Sequence, residues 1–261
     1  HYILHCAARV GGIGRNLNSP VQQFNDNVLM NTNIIKAAHK HGVEKLIAFS
    51  SVCVFPSTAT ELREDNMHDG APFPAHWSYA MAKRMVDVQI EAYKKQYGVN
   101  YCSVIPTNIF GSNDFYNLED GHIVPSMIHK FFNAQKNKTD VECWGDGSPL
   151  REFIYAPDLA KVCLDLLSME GDMPQKLIVP GLELPVRTIV EKIKNAYKNI
   201  YFNAHDSQIV WDTSKPNGQL RRKTNSLYFD KLFPDFKYTN IDLALNESVK
   251  WFMMNYANVR L

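Results

Sequence analysis

The sequence has no Cys-x-x-Cys pair, and its five cysteines (Cys6, Cys53, Cys102, Cys143 and Cys163) are odd in number and far apart. That spacing argues against a disulfide framework and a thiolate zinc site and fits a reducing compartment. No apolar run approaches the ~20 residues of a membrane-spanning helix and no signal peptide opens the chain, so a cytoplasmic setting without a membrane partner is expected. Neither sign of charge is in excess: 28 Lys+Arg against 27 Asp+Glu leave +1. This argues against a nucleic-acid binder that works by bulk positive charge, with only a local basic patch left open. There is no Gly-x-x-Gly-x-x-Gly run. Gly12-Ile13-Gly14 starts a Gly-x-Gly-x-x-Gly spacing, but Leu17 occupies its third glycine position, so the dinucleotide fingerprint fails. His1 and His5 share a strand face yet stand roughly 13 Å apart at ~3.3 Å per residue. His39 and His41 point to different sides of a helix, and no metal is expected.

What is present is ordinary globular composition: 261 residues, 45% hydrophobic and 21% charged, enough for one large domain or a domain with a smaller lobe. Residues 2–6 read as a strand. Residues 21–41 read as a helix with apolar positions Phe24, Val28, Leu29, Ile34, Ile35 and Ala38, closed by Gly42. A second strand at 46–49 enters Ser50-Ser51. A long loop with Pro56, Pro72 and Pro74 follows, then a helix over 77–97 closed by Gly98, then a strand at 101–105 ended by Pro106. This β-α-β-α-β order predicts a parallel sheet with right-handed crossovers. The second half reads as helices over 123–135, 157–167, 186–197 and 241–256 with strands at 141–144 and 209–211. Leu245, Val249, Phe252 and Tyr256 form the apolar stripe of the last helix. The chain opens at His1 and runs directly into the apolar Tyr2-Ile3-Leu4, which predicts that further residues precede it.

The sharpest chemical signal is Tyr79-Ala80-Met81-Ala82-Lys83. A four-residue gap on a helix puts Tyr79 and Lys83 on one face, where an ammonium is expected to stabilise phenolate and lower the tyrosine pKa from ~10. A lower value would let Tyr79 exchange a proton with a carbonyl near neutral pH. The alternative is a tyrosine packed on the sheet and a solvated lysine. Upstream, Phe49-Ser50-Ser51-Val52-Cys53 places hydroxyls at a strand C-terminus, where open α/β sheets hold their ligands.

Strand, serine, loop and Tyr-x-x-x-Lys in that order resemble the extended short-chain dehydrogenase/reductase superfamily. The end of the first strand, Ala7-Ala8 with Gly11-Gly12, is similar to that superfamily's loop beside the cofactor. Further segments narrow the match: Ser51–Pro56, Ile105–Gly111, Glu119–Pro125, Trp144–Phe153 and Thr213–Gly218 resemble, in order, motifs of the GDP-L-fucose synthases, closest to the eukaryotic form. The resemblance implies an α/β fold: a Rossmann-like doubly wound parallel sheet, truncated at its N-terminal side, with a smaller C-terminal α/β substrate lobe. Residues 1–120 would be the remainder of the NADP-binding domain, and 121–261 mainly the substrate lobe, with some segments returning. Roughly the first 60 residues of the dinucleotide half, with its phosphate loop, would be missing from this sequence.

The activity implied is NADPH-dependent conversion of GDP-4-keto-6-deoxy-D-mannose to GDP-L-fucose in a homodimer. Cys53 would be the base and His122 the acid of the epimerisation, with Ser51, Tyr79 and Lys83 completing the catalytic set. Ala7, Ala8, Phe49, Ser50, Ser51, Tyr79, Lys83, Pro106, Thr107, Asn108, Ile109 and His122 would line the NADPH/NADP+ site. Lys130, Trp144, Arg151, Lys215 and Asn217 would meet the GDP-sugar, Asn217 standing where the family turn usually carries Asp. Each has a plain alternative: Cys53 a small buried residue, His122 a loop histidine, Lys130 a solvated helix lysine, Trp144 a core side chain, Arg151 a surface partner of Glu152. Two other functions stay open beside this one: a related sugar-nucleotide epimerase or reductase, and a truncated non-catalytic binding or regulatory homologue.

Overall fold

The computed structural model describes residues 1–261 apart from Phe202, Pro216 and Gly218, with the side chain of Ile13 also outside the description. Two residues of the Thr213–Gly218 motif therefore lie outside the described residues. The chain runs β1 (Tyr2–His5), α1 (Ile13–Asn18), α2 (Pro20–Lys40), β2 (Lys45–Phe49), β3 (Glu61–Leu62), α3 (Trp77–Tyr97) and β4 (Asn100–Pro106). It continues β5 (Asn108–Phe110), α4 (Ile123–Asn137), β6 (Val141–Trp144), β7 (Leu150–Tyr155), α5 (Ala156–Ser168), β8 (Lys176–Val179) and β9 (Leu182–Pro185). The last stretch is α6 (Val186–Ile200), β10 (Ile209–Asp212), β11 (Lys223–Thr224), α7 (Leu227–Leu232) and α8 (Ile241–Asn255). These divide into one unit of residues 1–107, 158–180 and 224–236, and another of 108–157, 181–223 and 237–261. The first division falls after Thr107.

The first unit is built on a parallel sheet in the order β1-β2-β4-β8. Its inner strands are apolar on both faces, and six of the seven β4 residues are buried, as a sheet covered by helices on each side requires. β8 has no sequence signal beyond the three-residue apolar run Leu177-Ile178-Val179, too short for periodicity to speak. Gly42 and Gly98, at φ +63° and +65°, adopt the left-handed conformation that ends α2 and α3. The 56–75 connection is less open than its prolines suggested: Leu62 and Met67 are buried with Val54, Phe55, Ile105 and Ile178.

Helix α2 overturns part of the sequence pattern. Its inner face is Gln23, Asn27, Asn31, Ile35 and Ala38, whereas Leu29 is 61% exposed. The polar inner residues have local work. Asn27 accepts the Arg9 N–H at 3.0 Å and donates to the Arg9 carbonyl at 2.9 Å, holding the segment after β1, and Asn31 Oδ1 meets His5 Nε2 at 2.9 Å.

The second unit pairs β5 with β7 in parallel and β7 with β9 antiparallel, while β10 lies parallel to β6. Its core joins α4, α6 and α8 through Phe131, Tyr197, Leu245, Val249 and Phe252, all fully buried. Tyr197 donates its hydroxyl to the Ile128 carbonyl at 2.8 Å.

Asp87 of α3 is fully buried, 2.8 Å from Lys176 Nζ on β8 and 2.9 Å from His68 Nε2. Removing one partner of a buried pair leaves the other's charge uncompensated. Lys176→Met, which leaves the Asp87 carboxylate buried without its lysine, is expected to destabilise the chain by about 3 kcal/mol, read as a lower urea midpoint at unchanged slope; an unchanged midpoint would refute this.

Candidate active site

In the first unit the carboxyl ends of β1, β2 and β4 lie side by side, the position where open parallel sheets bind ligands. The chain leaves β2 at Phe49, and Ser50 is held by its N–H bond to Val104 O at 2.8 Å. Ser51 then caps a one-turn 3₁₀ segment over Val52–Val54, its Oγ accepting the Cys53 N–H at 3.3 Å. Helix α3 begins at Trp77, so Tyr79 and Lys83 fall in its first two turns, one above the other. The Tyr79 hydroxyl is hydrogen-bonded to Ser51 and feels Cys53 nearby. Lys83 is 2% exposed, and its Nζ donates to Phe49 O at 2.9 Å while Ser50 Oγ donates to Lys83 O at 3.3 Å.

These contacts reverse one expectation. Burial of the hydroxyl, then the proximity of Cys53, push the Tyr79 phenol well above its ordinary value, against a smaller opposing effect of the Ser51 bond. Burial pulls Lys83 down to about 8, partly opposed by Cys6. The Lys83 ammonium is spent on the Phe49 carbonyl, and desolvation governs the phenol. Tyr79 therefore keeps its proton in this state and is arranged to donate it.

Around this centre, Ala7 is exposed and Ala8 half-buried after β1, presenting only methyl groups. Pro106 ends β4 in register with Val179, and the Thr107 N–H bonds Val179 O at 3.3 Å. Thr107 Oγ1 is buried and meets no hydrogen-bond partner among the described residues, an orphaned hydroxyl that a bound polar ligand would satisfy. Lys83, the small residues at the β1 end and this hydroxyl fit the nicotinamide ribose part of a dinucleotide. Asn108 and Ile109 begin the second unit on β5, where Asn108 Nδ2 donates to Glu152 O at 2.7 Å.

In the second unit His122 is exposed at the N-cap of α4. Gly121 before it comes so near the preceding loop that a Cβ would lie 2.4 Å from Asn117 O. Asp114, which the sequence reading passed over, shares this loop. Burial raises its carboxyl pKa, opposed by the Phe115 N–H at 2.7 Å and by the charges of His122 and Arg260.

Because β10 runs parallel to β6, the loops that follow them are neighbours. Trp144 is 64% exposed, not a core residue, and Lys215 Nζ sits 5.8 Å from its ring centroid. Asn217 Oδ1 accepts the Asp146 N–H at 2.8 Å, so its acceptor is already engaged. The side chain rests against Gly145, where a Cβ would come within 2.1 Å and φ is +75°. Lys130 Nζ donates to Glu142 O at 2.9 Å. Arg151 is half-buried and donates to Leu150 O at 2.7 Å, and Glu152 is buried beside it, which removes the picture of a surface pair. Burial, with a second guanidinium at Arg222, lowers the Arg151 pKa. Two neighbouring guanidiniums make a candidate anion site; no motif in the sequence marked Arg222.

Comparison with known proteins gives a consistent set of relatives. Residues 1–179 match the NAD dependent epimerase/dehydratase family. The chain is 37% identical to a GDP-L-fucose synthase of Dictyostelium discoideum, over 99% of this chain and 80% of that protein. It is 36% identical to a probable GDP-L-fucose synthase of Drosophila melanogaster, over 99% and 82%. A crystal structure of a GDP-L-fucose synthetase from Naegleria fowleri bound to NADP superposes with a TM-score of 0.90 at 36% identity, covering 100% of this chain and 78% of that one.

The Lys83 shift has a sign that can be measured. With its folded value near 8 against 10.5 when free, the unfolded chain binds more protons between those values. The Lys83 contribution to stability therefore rises with pH across that window, and its penalty is complete below pH 8. The buried thiols work the other way: Cys143 and Cys163, raised to about 11 and about 12, lose stability for the fold as pH climbs past the free thiol value. Lys83→Met is expected to lose the rising component alone. Relative to that variant, the parent should gain up to about 3 kcal/mol between pH 8 and 10.5 in urea unfolding. Parallel pH curves would show Lys83 to be solvated.

Proposed function

The chain belongs to the NAD-dependent epimerase/dehydratase family and, within it, to the GDP-L-fucose synthases, and from that membership we propose that it converts GDP-4-keto-6-deoxy-D-mannose to GDP-L-fucose by 3,5-epimerisation followed by 4-reduction. The observation that carries the reading is the hydroxyl pair Ser51–Tyr79 beside Cys53, with Lys83 buried one turn below. NADPH, when bound, supplies the hydride for C4.

The chain's own residues supply protons and charge. Ser51 and Tyr79 donate hydrogen bonds to the C4 oxygen, which makes the hydrogens on C3 and C5 acidic and steadies the enolate. Cys53 takes a proton from C3, the electron pair moving onto the C4 oxygen, and His122 returns a proton to the opposite face; Cys53 then releases its proton to solvent, His122 takes one from solvent, and the same exchange follows at C5. Each centre loses one proton and gains one, so epimerisation is redox-neutral. Tyr79, whose phenol keeps its proton, then gives it to the alkoxide at O4. Lys83 orients the nicotinamide ribose. Arg151, with Arg222 beside it, and Lys130 meet the diphosphate, and Trp144, Lys215 and Asn217 meet the nucleoside.

The active form is a homodimer in the cytoplasm. Helices α2 and α3 supply the surface for a second copy, since Val21, Leu29, Trp77 and Val88 are exposed on them. The free state of all five cysteines suits a reducing compartment. Among the described residues no helix is long and apolar enough to cross a membrane.

Two variants separate the chemical steps. Cys53→Ser is expected to lose solvent-deuterium exchange at C3 and C5 by at least ~100-fold and to form unepimerised GDP-6-deoxyhexose. Tyr79→Phe should lose NADPH consumption by a similar factor and retain exchange. Exchange at the parent rate in Cys53→Ser, followed by NMR, would make Cys53 a packing residue. Light scattering should give a dimer mass for the parent and a monomer for Leu29→Glu; a parent monomer would refute the assembly.

A further inference from the structure

Arg84 follows Lys83 on α3 and is 6% exposed. Its Nε donates to the Val54 carbonyl at 2.5 Å and its Nη2 to the Gly70 carbonyl at 2.7 Å. Both acceptors are neutral. Burial lowers the guanidinium's pKa, with no carboxylate among the described residues opposing that shift. A charge desolvated in this way stabilises a fold poorly, and an apolar side chain of similar volume would generally serve as well. Its planar fork does what an apolar side chain cannot: it fixes two backbone segments in direction as well as in distance.

One of those segments is the turn that carries Ser51 and Cys53. The turn's own bonds are Val54 N–H to Ser51 O at 3.1 Å, Phe55 N–H to Val52 O at 3.4 Å and Cys53 N–H to Ser51 Oγ at 3.3 Å. Val54 and Phe55, both fully buried with Met67 and Ile105, set how deep the turn sits. The Arg84 fork ties the carbonyl of Val54, the residue after Cys53, and that of Gly70 to helix α3, which also carries Tyr79. Arg84 and Tyr79 share one helix, so the reference frame is common to both reacting groups.

We infer that Arg84 is a positioning residue that locks the Cys53 turn onto the helix bearing Tyr79, so that proton abstraction at C3 and C5 depends on it more than reduction at C4 does. This rests on the proposed epimerase–reductase activity. In the full chain, Arg84→Lys keeps the charge and loses the fork, and Arg84→Gln loses both. With GDP-4-keto-6-deoxy-D-mannose and NADPH, the ratio of GDP-L-fucose to unepimerised GDP-6-deoxyhexose should fall at least tenfold in both variants, as a displaced base predicts. KM should change by less than about twofold. A loss of folded protein would lower both products together and leave the ratio unmoved. Without substrate, the rate of Cys53 alkylation by iodoacetamide, followed by mass spectrometry, should change several-fold. An unchanged product ratio, or unchanged Cys53 alkylation, would overturn the assignment. So would the failure of both variants to unfold cooperatively, which would make Arg84 a stability residue. If the parent itself makes no GDP-L-fucose, the activity reading fails, and the alkylation comparison still decides the role of Arg84.

Discussion

Buried charge must be partnered, and helix α3 buries three charged side chains close together: Lys83, Arg84 and Asp87. Each finds its partner on a different segment. Lys83 reaches the end of β2, Arg84 reaches the Cys53 turn and Gly70, and Asp87 reaches Lys176 on β8 and His68. The cost of leaving any of these groups unpaired is several kcal/mol, so the segments they reach cannot drift independently. The helix therefore serves as the frame for the chemistry, and Tyr79 at its start inherits a fixed environment.

That environment decides the protonation of the site. An ammonium one helical turn from a phenol stabilises phenolate only if its field reaches the hydroxyl. Here the Lys83 ammonium is committed to a carbonyl, and the enclosed hydroxyl is ruled by desolvation. A proton-bearing Tyr79 and a Lys83 brought near 8 form a donor with a titratable cation below it. The arrangement suits delivery of a proton to an alkoxide.

The second unit uses a different device. Parallel pairing of β6 with β10 sets Trp144 beneath Lys215 and brings Asn217 against Gly145, so residues some seventy positions apart form one polar, aromatic ledge. Gly147, at φ +73°, makes the same kind of close approach, since a Cβ there would meet the Trp211 ring at 2.5 Å. His122 and Asp114 share a separate loop of the same unit, drawn in by Gly121.

The helices 21–41, 77–97 and 241–256, the strands 101–105 and 141–144, and the Tyr79–Lys83 face were legible because helical and strand periods are local and the caps of the first two helices, Gly42 and Gly98, are single residues. The order of motifs likewise carried the family. Strands β5, β7, β8 and β9 were not legible, because segments of three to six residues, with Asn108, Arg151, Glu152, Lys176 and Glu183 among them, become strands only through the neighbours that complete their hydrogen bonds. The inner face of α2 was misread for the same reason: Asn27 and Asn31 point inward to satisfy Arg9 and His5, partners far along the chain, and this turns Leu29 to the surface. The direction of the Tyr79 shift, the guanidinium of Arg222 beside Arg151 and the reach of Arg84 to Val54 all depend on which atoms surround a group in space. Spacing along the chain fixes which residues share a face, whereas desolvation and carbonyl geometry arise only once distant segments have closed around it.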